Sequence, residues 1–463
     1  MKVSPARAAA YDALSRVERD AAFATDALDA RLEKLTNRAD AALATEITLG
    51  VLRWQRLLDF FLERLTKRGV ASLDLEVLLA LRLGLYQLRF LSRVPASAAV
   101  NESVELVKRA RKSSASGLVN ATLRRAARDP QLRAAAESLV PRDLPAAEQL
   151  GLALSHPTWL VERWLARYGA PATRELLEAN NQAPRLTAAM IDLDAGAEIR
   201  ASLAEAGFEV VPGRWLASAV ELRRMPRAAA TRLRDALRAG RLLLQDEASQ
   251  MIPLLLDVLP GQRVLDVCAA PGGKTTRLAG QAGPGTVVAT DFHLHRLRQM
   301  RELVERLGAG NVSLVALDGT QPLPFSVRFD RVLVDAPCSG TGTLSRNPEI
   351  RWRLRKEDLG ALAEKQKALV RQGLAQLAPG GRLVYSTCSL EPEENEQVVA
   401  AVLAAHPGAR LVSGNESLAP HLLAGRAAGQ LFDALGCFRT LPSRHGTDGF
   451  FAAIIEPGSA TAR

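Results

Sequence analysis

The hydrophobic pattern changes its period along the chain. Over residues 4–130 apolar positions recur every three or four residues, most plainly at Val77, Leu78, Leu81, Leu85 and Leu88. That spacing gathers them on one face of a helix, so this region is predicted to be helical throughout. Pro95, Ser97 and the loop Ser113–Gly117 mark the expected breaks. Pro130, Pro141 and Pro145 punctuate residues 130–150, which read as a linker or a loosely packed crossover. Residues 151–240 alternate helical stretches with short β-like runs, such as Leu186–Ile191 and Phe208–Val211, as in a small α/β subdomain. From 240 onward β-branched runs recur at Val264–Val267, Thr286–Thr290, Val312–Ala316, Arg331–Val334 and Arg382–Ser386. Helical stretches separate several of them, which predicts a mostly parallel sheet flanked by helices. The expectation is a multidomain α plus α/β chain. An all-helical domain spans 1–140, a linker and small α/β subdomain 141–240, and a larger α/β domain 241–457.

Composition agrees with a folded chain of this kind. At about 150 residues per domain, 463 residues make roughly three domains, and 48% hydrophobic with 24% charged residues argues against a mainly disordered one. The most apolar stretch, 73–88, is interrupted by Asp74, Glu76 and Arg82, so no membrane span is expected. The N-terminus becomes charged too early for a signal peptide, and a cytoplasmic location is expected. The four cysteines form no C-x-x-C pair and the six histidines are scattered, so no metal site is expected.

The net charge of +10 is unevenly spread: residues 1–145 carry 24 Lys/Arg against 17 Asp/Glu. Such an excess suits a domain that meets a polyanion, although an Arg-rich solvated surface would look the same. Between Lys108 and Arg128 lie Lys108, Arg109, Arg111, Lys112, Arg124, Arg125 and Arg128 with no acidic residue. They flank the Ser-rich loop 113–116 and are candidate contacts to a nucleic-acid backbone.

The first strand of the larger α/β domain runs into VLDVCAAPGGKTTRLAG, Val264–Gly280. A strand, a Gly-rich turn and a helix form the first βα unit of a nucleotide-binding sheet, and Gly272 and Gly273 let backbone approach a ligand. The turn lacks the G-x-G-x-x-G pattern. The P-loop reading also fails, because Val267 stands where that loop needs its first glycine. The next strand ends at Asp291, where a carboxylate can accept both ribose hydroxyls. Asp318 follows the strand after that, at an edge where an adenine can be met. Together these features fit an adenosyl ligand without a phosphate, namely S-adenosylmethionine. Taken singly, each carboxylate could instead cap a turn.

Two further strand-ending loops each carry a cysteine: Asp335–Trp352, with Cys338 in Asp-Ala-Pro-Cys, and Tyr385–Glu396, with Cys388 in Ser-Thr-Cys-Ser. Carbon 5 of a pyrimidine is too weak a nucleophile to take a methyl group. A thiolate that adds to carbon 6 turns it into an enamine-like nucleophile, so two thiols beside a methyl donor suggest covalent catalysis. The residues alone leave open which thiol attacks. Cys268 is expected to meet cofactor through its backbone, and Cys437 to be packing. An amino-group methyltransferase is disfavoured, because its Pro-Pro-aromatic loop is replaced here by Ala-Pro-Cys.

The segments DVCAAPGGKTTRLAG, FDRVLVDAPCSGTGTLSRNPEIRW, GGRLVYSTCSLEPEENE and GTDGFF resemble the RNA 5-methylcytosine methyltransferases of the Nol1/Nop2/Sun type. VNESVELVKRA and GLVNATLRRAAR in the helical region look like the NusB-like RNA-binding fold. LLQDEASQ, Leu243–Gln250, resembles the start of the family's catalytic domain. The resemblance implies a Rossmann-like catalytic domain behind a NusB-like one, acting with S-adenosylmethionine on small-subunit (16S) ribosomal RNA. It implies that Cys268, Ala269, Ala270, Pro271, Gly272, Gly273 and Lys274 form the main methyl-donor loop. Asp291 would hold the ribose, Asp318 the adenine end, and Asp335 would sit near the sulfonium and the target base. Cys388 would be the nucleophile, while Cys338 would assist product release. Transfer RNA is the alternative substrate, since the motifs do not encode one. A non-catalytic ribosome-assembly factor is disfavoured by two intact cysteine loops.

Overall fold

In the computed structural model, which describes residues 3–191, 196–224 and 229–457, the three-to-four-residue apolar period becomes a stack of helices. The chain divides into two units, Met1–Ala183 with Leu344–Leu354, and Pro184–Thr343 with Arg355–Arg463.

In the first unit the helix Leu75–Phe90 is buried on every side from Val77 to Leu88, as expected of a helix apolar all round. Its one buried cation, Arg82, is held by Asp59 through two bonds of 2.8 Å. Helices Pro5–Arg19, Arg38–Thr66, Ala96–Arg109 and Ser116–Arg128 pack around it into one apolar core. The Pro-rich stretch 130–150 is not the loose linker its prolines suggest. It makes short 3-10 turns at Pro130–Arg133 and Ala136–Ser138 and buries Leu132, Ala136 and Val140 in that core. Arg133 Nε donates to Leu88 O at 3.1 Å and Arg89 Nη2 to Ala134 O at 3.0 Å, so a backbone carbonyl on each side is satisfied.

Residues 344–354 also belong to this unit. The Arg351 guanidinium, 1% exposed, donates to the carbonyls of Arg53, Ser155, Asn180 and Leu344 and to Asn181 Oδ1 at 3.0–3.3 Å. Trp352 Nε1 donates to Leu52 O at 2.6 Å, and Glu349 accepts from Ala24 N at 3.0 Å.

The second unit opens with a small antiparallel sheet of β1 (Thr187–Met190), β2 (Glu209–Pro212), β3 (Ala219–Arg223) and β4 (Leu242–Leu244), in the order β2-β3-β1-β4. Helix Gly196–Glu205 lays Ile199 and Leu203 against Ala188, Val220 and Leu242 of that sheet.

The larger sheet holds β5 (Arg263–Asp266), β6 (Thr286–Asp291), β7 (Val312–Ala316), β8 (Phe329–Asp335), β9 (Leu377–Thr387), β10 (Ala409–Val412), β11 (Phe438–Arg439) and β12 (Phe451–Pro457). Its order is β10-β12-β9-β8-β5-β6-β7, with β11 paired to β12. Strands β5 to β9 are mutually parallel, and β12 and β10 are added antiparallel. Separate apolar cores on its two faces make it doubly wound. The chain turns one way from β5 to β6 and the other way to β8. Ligands bind at such a switch point, outside the carboxyl ends of the strands.

Candidate active site

The loop after β5 runs from Val267 into the helix Gly273–Ala282. Gly272 takes φ +105° at its start, and a Cβ there would lie 2.7 Å from Met300 Cγ, so the turn requires glycine. A cleft of about 200 Å³ opens over this loop. Asp266, Cys268–Lys274 and Asp335 line it together with Leu243, Leu244, Gln245, Ser249 and Leu303.

Asp266 is buried beneath it at 1% exposure. Its Oδ2 accepts from Thr275 Oγ1 at 2.7 Å, while Oδ1 has no hydrogen-bond partner among the described residues. Burial pushes its pKa up to about 7. A buried carboxylate that lines the cleft and keeps one oxygen unbonded fits an ammonium group, such as that of the expected S-adenosylmethionine. Sequence reasoning assigned nothing to Asp266, because its signal is burial rather than spacing.

Asp291 lies against the same loop. It accepts from Ala270 N at 3.3 Å and from His293 N at 2.9 Å, and Arg296 stands 3.5 Å away. Asp318 follows β7, and its Oδ1 accepts from Thr320 N at 2.9 Å and Thr320 Oγ1 at 2.7 Å. The bonds from Thr320 hold its carboxyl below the usual range. Leu317 N donates to Asp291 O, which sets the two acidic positions side by side along the sheet edge. Both carboxylates thus brace their own turns, and neither lines the 200 Å³ cleft itself.

The thiols meet beside it. Cys338 Sγ and Cys388 Sγ are 3.4 Å apart, on the loops after β8 and β9. Asp335 ends β8, with Oδ2 accepting from Lys274 Nζ at 2.6 Å and Oδ1 from Ser386 Oγ at 2.7 Å. Burial alone would lower the Lys274 pKa, but Asp335 outweighs it and the net shift is upward, so the ammonium persists at neutral pH. Its Nζ also stands 5.2 Å from the Phe450 ring centroid. The bond to Cys388, then burial and the charge of Glu394, push the Cys338 thiol well up. Cys268 and Cys437 stand apart from this pair: burial pushes both thiols up, Cys437 to about 12.

The basic candidates in the helical unit are largely satisfied at home. Lys108 pairs with Glu105 at 2.8 Å, Arg109 with Asp12 at 2.8 Å and Lys112 with Asp74 at 2.9 Å. Arg124 donates to Asn120 at 2.9 Å and Arg125 to Leu65 O at 3.3 Å. Arg111 is exposed and holds φ +61°.

The chain matches the family 16S rRNA methyltransferase RsmB/F over residues 253–456, the NusB family over 4–128, and an RsmF/B-like ferredoxin-like domain over 156–228. It is 34% identical to the ribosomal RNA small subunit methyltransferase B of Vibrio cholerae, over 97% of each chain. With the protein of that name from Pseudomonas putida it shares 36% identity, over 87% of this chain and 90% of the other. The crystal structure of PH0851 is similar with a TM-score of 0.81 at 25% identity, covering 98% of this chain and 99% of that one. The helical domain is therefore NusB-like, the small sheet lies in a ferredoxin-like subdomain, and the large sheet is the Rossmann-like core of a methyltransferase.

Proposed function

Because the chain belongs to the 16S rRNA methyltransferase RsmB/F family, we propose that it methylates carbon 5 of a cytosine in small-subunit ribosomal RNA through a covalent adduct with Cys388. The observation that carries this reading is the thiol pair, 3.4 Å apart, next to the Lys274–Asp335 ion pair at the mouth of the cleft.

The loop Cys268–Lys274, with Asp266 beneath it, would hold S-adenosylmethionine, which would supply an electrophilic methyl group. The protein must make carbon 5 able to take it. The target cytosine leaves its stack to enter the site. The Cys388 thiolate adds to carbon 6, with the Lys274 ammonium stabilising the anion beforehand. Asp335, aimed by Lys274 and Ser386, passes a proton from the Lys274 ammonium to the ring nitrogen and returns it when the ring is restored. Electron density then reaches carbon 5, where the new bond to the methyl group would form as the methyl–sulfonium bond breaks.

The second thiol completes the cycle. The contact with Cys388, burial and the charge of Glu394 hold the proton on Cys338 during the attack. Once Cys388 sulfur is bound to carbon 6 its charge is gone, and Cys338 ionises more readily, giving its proton to solvent water. Its thiolate takes the carbon 5 proton, the carbon 6–sulfur bond breaks, and the Cys388 thiolate and the aromatic ring are restored.

The test is methylation of unmodified small-subunit ribosomal RNA with labelled S-adenosylmethionine, followed by mapping of 5-methylcytosine. Label at one cytosine supports the reading. Label in transfer RNA alone would move the substrate, and no label in either RNA would overturn it.

A further inference from the structure

The carboxylate of Glu394 is fully buried between the two cysteine loops. Its Oε1 accepts from Ser339 N at 2.8 Å and Gln366 Nε2 at 3.0 Å. Its Oε2 accepts from Ser339 Oγ and Ser389 Oγ, both at 2.5 Å. Ser339 directly follows Cys338 and Ser389 directly follows Cys388. One carboxylate therefore grips the residue after each thiol. The two hydroxyls also touch each other at 3.0 Å, and Gly342 N donates to Cys388 O at 2.9 Å between the same loops. Four bonds fill the four lone-pair directions of the carboxylate, which leaves it no capacity to exchange a proton with substrate.

We propose that Glu394 is a positioning residue for methyl transfer: its carboxylate ties the Cys338 loop to the Cys388 loop and sets the distance between the two thiols. The proposal rests on reading Cys338 and Cys388 as the reacting pair. A buried polar group with every bond made is a rigid spacer, and the alternative of two independent loops would let the sulfurs separate. The negative charge has a second effect, because it opposes ionisation of Cys338. The titratable groups facing Cys338 are Cys388, Glu394 on the turn Pro392–Glu394, and Tyr385 on β9. Gln366, from helix Asp358–Ala375, is neutral, and Lys274 faces Cys388. Glu394 thus fixes where the second thiol lies and delays its ionisation until the first is consumed.

Two variants separate spacing from charge. In Glu394→Gln the amide can accept from Ser339 N and donate to the two serine hydroxyls, so the brace stays and the charge goes. In Glu394→Ala both go. Spacing is read in the full-length protein by dibromobimane, which becomes fluorescent on bridging two nearby thiols. The Gln variant is expected to cross-link within about twofold of wild type and the Ala variant at least about tenfold more slowly, with affinity for S-adenosylmethionine unchanged in both. Charge is read by iodoacetamide alkylation of Cys338 in a Cys388→Ala background. Adding Glu394→Gln there is expected to speed alkylation at pH 7 about tenfold. Should Glu394→Ala not fold, Ser389→Ala removes one arm of the brace and is expected to slow cross-linking about threefold. Wild-type cross-linking in the Ala or Ser389 variant, or an unchanged alkylation profile in the Gln variant, would overturn the proposal. None of these readouts needs methylation of RNA, so failure of the proposed activity is distinguishable from failure of the brace.

Discussion

Asp266 carries a consequence for pH that no other residue of the cleft carries. Its pKa is about 7 in the folded chain against an ordinary 3.8. From about pH 4 to about pH 7 the unfolded chain has released this proton while the folded chain still holds it, so its stabilising contribution is lost across that window as pH rises. Binding of an ammonium ligand runs the other way, because it favours the charged carboxylate. Titration calorimetry is expected to find S-adenosylmethionine bound more tightly as pH rises through about 7, and Asp266→Asn should flatten that rise. An affinity independent of pH in the native protein would rule out Asp266 as the ammonium partner. The residues that approach the cleft through glycine, proline and cysteine motifs were legible in the sequence. Asp266 was not, because its signal is an orphaned oxygen that exists only once Thr275 and the sheet have buried it.

Elements decide how the cysteine loops are brought together. Gly342 follows Cys338 in its loop, and a Cβ there would lie 2.1 Å from Gly449 O, while Gly449 N donates to Gly342 O at 2.8 Å. Two backbones touch, which explains in physical terms why the segment GTDGFF accompanies the cysteine motifs. Gly342→Ala is expected to cost about 1–3 kcal/mol in thermal or urea unfolding and to slow thiol cross-linking. A stability within about 0.5 kcal/mol of wild type would show that this contact is not needed. The same scale governs residues 344–354, whose Arg351 satisfies five buried acceptors. Arg351→Ala leaves them unpaired, and a loss on the order of 3–5 kcal/mol is expected. Faster amide exchange in 344–354 than in β8 is the check. The parallel strands β5 to β9 were legible from their β-branched runs. Strands β10 and β12 were not: the run FFAAII of β12 is continuous apolar sequence, which periodicity cannot separate from buried helix. The Pro-rich stretch 130–150 misled for a related reason, since prolines mark turns and say nothing of the core those turns join.

For the whole molecule, the basic surface of the helical domain is the proposed meeting place with RNA. The run from Lys108 to Arg128 was legible as charge. The pairing of Arg109 and Lys112 was not, because Asp12 and Asp74 lie far away in sequence and come near only through packing. Arg111 is exposed, as are Arg124, Arg125 and Arg128, and it carries a backbone conformation in which glycine is the usual residue, just past the helix Ala96–Arg109. Arg111→Gly is expected to gain about 1 kcal/mol of stability. It should also weaken RNA binding and flatten the dependence of log affinity on log salt by about 0.7. Arg109→Ala, which also breaks the pair with Asp12, should flatten it less. Equal slopes in both variants and wild type would remove this surface from the RNA contact.

The central claim is that Cys388 bonds to the target cytosine and Cys338 ends that bond. The direct measurement incubates wild type, Cys388→Ala and Cys338→Ala with small-subunit ribosomal RNA and S-adenosylmethionine, then resolves protein–RNA adducts on denaturing gels. The account predicts an adduct that accumulates in Cys338→Ala and is absent in Cys388→Ala. The reverse pattern, with an adduct trapped in Cys388→Ala, would assign the attack to Cys338 and contradict it.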